Sequence, residues 1–444
     1  MCAQTWLDGP LGQRLHNVVL FALRPATRLP AVLLQVALLV GLVSQALAAA
    51  ANETSQPLDL PAGWPSLGDR LGTPSWMKLD FNLTAEPLGG SLSTGGTSAV
   101  WMQQLSLNAT FSPGLAKPRD HWRELDHWSA QLQLTTFSGN PDLNLALGTT
   151  FPLQTGAHPT GVWLTEASVQ RITAGDPVFF KAGILSLNPS FVQSGVFNSY
   201  INSTLNNTLN LTITGLPINP FVAPGALMHV RLSPSSELRL GQFWLNSETQ
   251  LAALLGVNPG QPRVNGTLQL VQWTMLDLPG SRAVSSPIRQ GERLISRQLP
   301  APELHMGGFN STASLPGPNQ GVYGSFSLPL QLPAGLDHRL WLGFSAGFNP
   351  VNNPTPLVLS GGWLSQGLLP GRPFDVLAFG ISSSQLSQTL SSNLSNEHVL
   401  ELNYTIPINS MLSVQPVLQW IVNPGGNPSR AAVIAGGVQL SISF

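Results

Sequence analysis

The sequence predicts an all-β fold, a transmembrane antiparallel β-barrel of about sixteen strands, on three observations. The first is the closing stretch, in which Ile434, Val438, Leu440, Ile442 and Phe444 share one parity while Gln439, Ser441 and Ser443 share the other. That is the period-two alternation of a strand with one apolar face, and an aromatic last residue suits a face turned to lipid. The second is charge. Asp, Glu, Lys and Arg make up 9% of the chain, against about 25% in an ordinary soluble domain, so much of the surface is expected to meet something other than water. The third concerns helices: beyond Ala51 the nearest apolar run, residues 251–257, falls far short of the roughly 20 residues a spanning helix needs. Strands that cross a membrane must pair all the way round, which leaves a closed barrel.

Taken in order, residues 1–50 read as a signal peptide. Arg14, Arg24 and Arg28 precede an apolar run from Ala31 to Val43, and Ala46-Leu-Ala48 offers a small-x-small cleavage site. Three Arg and one Asp leave with it, taking the formal charge from −1 to −3. Neither value argues for nucleic acid as a partner. The one cysteine, Cys2, lies in this segment, so disulfides, thiolate metal sites and cysteine nucleophiles are excluded from the exported chain. Residues 51–75, rich in Pro and Gly, are expected to form an N-terminal coil or plug, and the barrel is expected to fill 76–444.

Alternation begins with Met77, Leu79, Phe81 and Leu83 against Lys78, Asp80 and Asn82. Trp101, Leu105 and Leu107 oppose Gln104, Ser106 and Asn108, and Trp128, Ala130, Leu132 and Leu134 oppose Ser129, Gln131 and Gln133. Next, Trp163, Ala167 and Val169 oppose Glu166, Ser168 and Gln170, and Val178, Phe180, Ala182 and Ile184 stand opposite Lys181. Periodicity fails near 188–224, where Asn, Ser, Thr and Pro dominate. A structureless run of that length is expected to be a functional loop, here one folded inward as a constriction. It returns with Met228, Val230 and Leu232 against His229 and Arg231, then Leu238, Leu240 and Trp244 against Glu237 and Arg239, then Val271, Trp273 and Met275 against Gln272 and Thr274. A second inserted loop is expected near 281–300, with Arg282, Arg289, Arg293 and Arg297. From Val322 onward the series is clearest, ending in Leu400, Leu402, Tyr404 and Ile406 against Glu401 and Asn403, and Leu412, Val414, Leu418 and Trp420 against Gln415 and Gln419.

Two blocks are more specific than a strand pattern. Residues 359–380 contain the turn Gly367-Leu-Leu-Pro370-Gly371-Arg372-Pro-Phe-Asp375 between two strands, and residues 397–426 contain Glu397, Glu401-Leu-x-Tyr404 and the run from Leu412 to Gly426. These resemble the carbohydrate-selective outer-membrane porins of the OprB type. Looser matches are Leu164-Thr-Glu-Ala167, Ala182-Gly183, Phe191 with Ser194, and Phe197 with Asn202. The resemblance implies a sixteen-stranded barrel in the outer membrane of a two-membrane bacterium, through which sugars and other small hydrophilic solutes diffuse. This chain departs from the family in charge: it holds Lys+Arg 20, Asp+Glu 21 and Tyr 3, whereas the family tends to line its lumen with many ionised groups and aromatics.

If the apolar parity faces lipid, the opposite parity nominates the solute path: Lys78, Asp80, Glu166, Lys181, Arg231, Glu237, Arg239, Glu401, Gln415 and Gln419. Each is individually more ordinary as a solvated or paired wall residue. Trp101, Trp128, Trp244, Trp363, Trp420 and Phe444 are the candidates for aromatic girdles at the lipid interfaces. Arg372 and Asp375 are expected to fix their turn. Catalysis finds little support. His121 and His127 with Glu124 and Asp126 form a polar cluster without metal-ligand spacing, and no Gly-x-Ser-x-Gly elbow or phosphate-cradling Gly-Lys-Ser/Thr is present. No cofactor is called for. The expected partners are outer-membrane lipid, small sugars and, through the C-terminal strand, the barrel-assembly machinery, with a homo-oligomer left open. The competing reading is a secreted β-sandwich, carbohydrate-binding or adhesin-like.

Overall fold

The computed structural model describes residues 58–444 except 93–94, 113–126, 176, 208–216, 246–264, 277, 279–286, 291–292, 314–316, 331–335 and 390–392. The targeting segment, His121, Glu124, Asp126, Arg282 and the side chains of Arg289 and Arg293 lie outside the described residues. The chain divides into two units. One, Thr54–Leu368 with Pro373–Phe444, carries all the described secondary structure. Of the other, Met1–Glu53 with Leu369–Arg372, the turn residues 369–372 are described, and there the Arg372 amide donates to the Leu369 carbonyl at 3.1 Å.

In the larger unit the strands are β1 Met77–Ser91, β2 Thr97–Phe111, β3 His127–Gly139, β4 Gly161–Ile172, β5 Val178–Leu185, β6 Ala223–Ser233, β7 Ser236–Trp244, β8 Thr267–Met275 and the short β9 Ile288–Gln290 and β10 Arg293–Ile295. They continue as β11 Leu304–Ser311, β12 Asn319–Pro329, β13 Asp337–Gly347, β14 Leu357–Gln366, β15 Val376–Gln385, β16 Glu397–Pro407, β17 Leu412–Val422 and β18 Val433–Ser443. Two five-residue helices, α1 Leu67–Leu71 and α2 Leu143–Leu147, lie outside the sheet.

All strands but β9 and β10 close into one antiparallel barrel of 16 strands, each paired with its neighbour in sequence once that hairpin is set aside, and β1 meets β18 at the seam. At the seam Phe81 and Phe444 exchange two backbone hydrogen bonds, 3.1 and 2.8 Å. The Phe444 ring lies between Trp64, stacked at 5.6 Å, and Phe81 at 5.8 Å. Both termini of the sheet and the two-residue turn after β6 lie at one end of the barrel, the terminus end; the long connections 140–160 and 186–222 leave from the other, the loop end. Short turns on the periplasmic side and long loops outside are the usual arrangement.

The strand register assigns each side chain to one of two solvents. Leu400 and Leu402 of β16 pair with Trp420 and Leu418 of β17 on the outside, while Glu401 pairs with Gln419 inside. Trp101, Trp244 and Trp420 project outward near the loop end and are 50, 45 and 42% exposed. Trp128 and Trp363 project outward near the terminus end, the latter stacked on His338 at 5.6 Å. One outward row is polar. Gln242, Gln269, Asn310 and Gln320 stand directly opposite one another across β7, β8, β11 and β12, close to the loop end. Asn310 donates to Gln269 at 3.2 Å and Gln320 to Asn310 at 3.1 Å.

One expected face is corrected. Trp163 turns inward and is fully buried, because the register of β3 against β4 shifts by one residue at Gln133/Leu134. A bulge inverts the parity of everything beyond it, so Trp163 no longer shares a face with Ala167 and Val169. The stretch 51–75 also holds α1, capped by the Ser66 hydroxyl, which accepts from the Asp69 amide at 3.1 Å.

The apolar core lies inside the barrel, between wall and inserted chain. Phe191 and Val192 pack against Leu227, Phe243, Leu268 and Phe309; Leu143, Leu147, Leu153 and Ile201 against Leu88, Val399, Ile421 and Val433; and Val196, Phe197, Tyr200 and Leu205 against Trp341, Leu364 and Ala378. Each such side chain contributes roughly 1.5–3 kcal/mol when fully buried, enough to make the inserted segments integral to the fold.

Candidate functional site

Two segments from the loop end fold into the lumen, and acidic residues of the wall receive them. The strap formed by the described part of 186–222 starts at the β7–β11 side, where the Arg239 guanidinium donates to the Ser190 carbonyl at 2.7 Å and the Val192 amide to Gln272 at 3.1 Å. It then reaches Glu303, whose carboxylate accepts from the Gly195 amide at 2.8 Å and from the Ser194 hydroxyl. Further along it meets Glu401, which accepts from the consecutive amides of Ile201 and Asn202 at 2.9 and 2.7 Å. The second segment, 140–160, is received likewise. Glu86 accepts from the amides of Thr155 and Gly156 at 3.2 and 2.8 Å, and Glu397 from the amides of Thr150 and Gly425 at 2.9 and 2.6 Å. Ser203 joins the two segments, donating to the Pro152 carbonyl through its amide at 3.1 Å and its hydroxyl at 3.0 Å.

Between these segments and the wall lie two cavities. The larger, 700 Å³, is lined by carboxamides including Gln104, Gln154, Gln193 and Asn206, by hydroxyls, and by Phe137, His158 and Phe221. The smaller, 430 Å³, lies beneath the strap among Gln298, Thr405, Ser413, Gln415 and Ser441. Asn198 and Gln439 line both, and the place where the two cavities adjoin is called the neck. Neither cavity has an Asp, Glu, Lys or Arg among its described lining residues.

The aromatic corner is built edge to face. His158 meets Phe137 at 5.0 Å and Phe221 at 6.1 Å, and Trp163 backs Phe221 at 5.4 Å. Burial within the barrel holds the His158 imidazole well below its usual range, at about 4, so it is neutral near pH 7. Burial likewise pushes the Tyr200 phenol up. It stays protonated, donating to the Phe379 carbonyl at 2.9 Å and accepting from Trp341 at 2.8 Å.

A barrel narrowed by inserted chain and lined by fixed donors and acceptors is the architecture of a diffusion channel. Residues 123–444 match the family described as carbohydrate-selective porin, OprB family. The chain belongs to that family. Its fold is similar to that of Pseudomonas putida OprB: the high-pH structure is 15% identical with a TM-score of 0.69, covering 88% of this chain and 100% of that one. The low-pH structure gives 15% identity and a TM-score of 0.52, covering 87% and 100%. No curated protein sequence matches the chain. The protein is thus an outer-membrane porin of the carbohydrate-selective family, and a secreted β-sandwich is not favoured.

Within this porin the ten nominated path residues all face inward, in distinct places. Lys78 and Asp80 form an ion pair of 2.7 Å at the terminus end. Glu166 and Lys181 pair at 2.5 Å and line a side pocket of 350 Å³ with Asn108, Gln131 and His229. Arg239 is paired with Glu237, which stands opposite Arg231 in the ladder. Gln415 lines the lower cavity and donates to the Ser199 carbonyl at 3.0 Å. Glu401 and Gln419 are covered completely by the inserted chain. In the family turn, Gly367 and Gly371 take φ of 74° and 77°, a region glycine enters without strain, and the Gly367 amide donates to the carbonyl of buried Asp375 at 3.0 Å. Pro370 and Arg372 belong to the smaller unit. Arg297, just after β10 in the connection between β8 and β11, pairs with Asp337 at 2.5 Å.

Residues that sequence reasoning passed over include Glu86, Glu303, Asn198, His158 and Phe221. Glu86 did carry a signal: an acid on the polar parity of β1, in a chain with so few acids. The others lie outside regular strands, where no period marks them.

Proposed function

We propose that small uncharged carbohydrates cross this porin by passive diffusion, without a catalytic step, through the larger cavity, past Asn198 and Gln439, and out through the lower one. The observation that carries this reading is the lining itself. Carboxamides and hydroxyls can exchange hydrogen bonds with sugar hydroxyls one for one, and the Phe137, His158 and Phe221 rings offer apolar faces to a sugar ring. Such contacts replace hydration without holding the solute tightly. Lys78, Asp80 and Arg231 serve the terminus-end mouth, and Glu166 with Lys181 the side pocket. Trp101, Trp128, Trp244, Trp363, Trp420 and Phe444 form the two girdles, and the C-terminal strand is what the assembly machinery meets.

The test is solute-driven swelling of liposomes holding the purified protein. Asn198→Trp fills the neck and is expected to slow monosaccharide flux about tenfold, as a steric block of a narrow pore should. Undiminished flux through this variant would place the path elsewhere. No flux through the unaltered protein would make it a closed barrel.

A further inference from the structure

We propose that Glu86 and Glu401 are positioning residues that set the width of the neck, and with it the largest carbohydrate admitted. This rests on the path proposed above. The neck has two flanks, and a different glutamate places each one. On the strap flank, Glu401 grips the amides of Ile201 and Asn202, three and four residues after Asn198. It also accepts from Asn403 at 2.7 Å, and the same Asn403 amide group donates to the Ser199 carbonyl at 2.8 Å. The residue next to Asn198 is therefore held by a side chain that Glu401 itself orients. On the wall flank, Glu86 accepts from Gln439, the other neck residue, at 2.6 Å and from the hydroxyl and amide of Thr155, another lining residue.

A carboxylate gripping two consecutive amides fixes both the distance and the orientation of the backbone it holds, which the apolar clusters do not do, since dispersion contacts are not directional. Both acids are almost fully buried, 1 and 0% exposed, so solute cannot reach them and they act only through what they hold. The two grips are coupled. Gln419 donates to Glu401 at 3.3 Å and to the Leu153 carbonyl at 2.9 Å, linking the strap's anchor to the segment that Glu86 secures.

Glu86→Gln and Glu401→Gln each put an amide N–H₂ where an amide N–H expects an acceptor, which loosens one flank while the apolar packing keeps the segment inside. In liposome swelling, the ratio of trisaccharide to monosaccharide flux is expected to rise at least about threefold in each variant and further in the double variant, because a loosened neck admits larger solutes. Barrel integrity is read separately from the heat-dependent shift in gel mobility. Glu401→Asp keeps both acceptor oxygens and withdraws them by one methylene, so it tests the same idea if a glutamine variant does not assemble; its ratio is expected to rise by less. An unchanged or lowered ratio in a barrel of normal gel mobility overturns the proposal. Asn198→Trp separates the two failures: if it blocks monosaccharide flux while the glutamate variants leave the ratio unmoved, the path stands and the positioning role falls.

Discussion

His158 illustrates how much a single side chain in the lumen depends on its surroundings. Its folded pKa of about 4 lies below the ordinary value of 6.5 because burial disfavours the imidazolium. The unfolded chain therefore binds the proton more readily, and this residue's contribution to stability is complete above pH 6.5 and lost as pH falls towards 4. Unfolding in vesicles across that interval, compared with His158→Gln, should show the unaltered protein losing its advantage on acidification; parallel curves would mean the imidazole titrates normally. Protonation would also place the first formal charge on the described lining of the larger cavity.

At the scale of the strand, a single residue step separates two solvents. Leu402 faces outward in the middle of β16, and Thr405 faces inward and lines the lower cavity. Leu402→Arg is expected to cost about 2–4 kcal/mol in bilayer unfolding experiments, the usual penalty for Arg near the midplane, and Thr405→Arg close to nothing. Equal costs would contradict the assigned faces. This division is also why the barrel was legible in the sequence: hydrocarbon tolerates few exceptions, so Leu400, Leu402, Leu418 and Trp420 had to keep one parity. Trp163 escaped because a bulge belongs to the pairing of two strands and leaves no mark in either one alone. The segment 140–160 escaped for a related reason. Its anchors, Glu86 and Glu397, lie far off in the chain, and its own residues follow no period. Inward parity could be read for Glu401 and Gln419, but not that a strap 200 residues away would cover them.

For the molecule as a whole, closure makes the wall continuous, with β1 and β18 paired from Asn82–Ser443 to Gly90–Ala435. The lumen is then apportioned by chain that the wall itself holds, so barrel and constriction are one folding unit rather than a pipe with a separate stopper. The outer surface, by contrast, is uneven. On β1 the apolar outward side chains run Met77, Leu79, Phe81, Leu83, Ala85 and Pro87, whereas on β8 the row containing Gln269 leaves Val271, Trp273 and Met275. With about 3.3 Å of rise per residue, the apolar outward row of β8 is roughly half as tall as that of β1. Acyl chains of uniform length cannot match both flanks at once, so the surrounding leaflet must pinch on one side or the cylinder must lean. Mass spectrometry of lipids retained in native nanodiscs is expected to show enrichment in shorter tails, and an annulus with the composition of the bulk membrane would argue that leaning alone absorbs the mismatch. Either way, whatever borders this porin in the membrane meets a shorter apolar row at β8 than at β1.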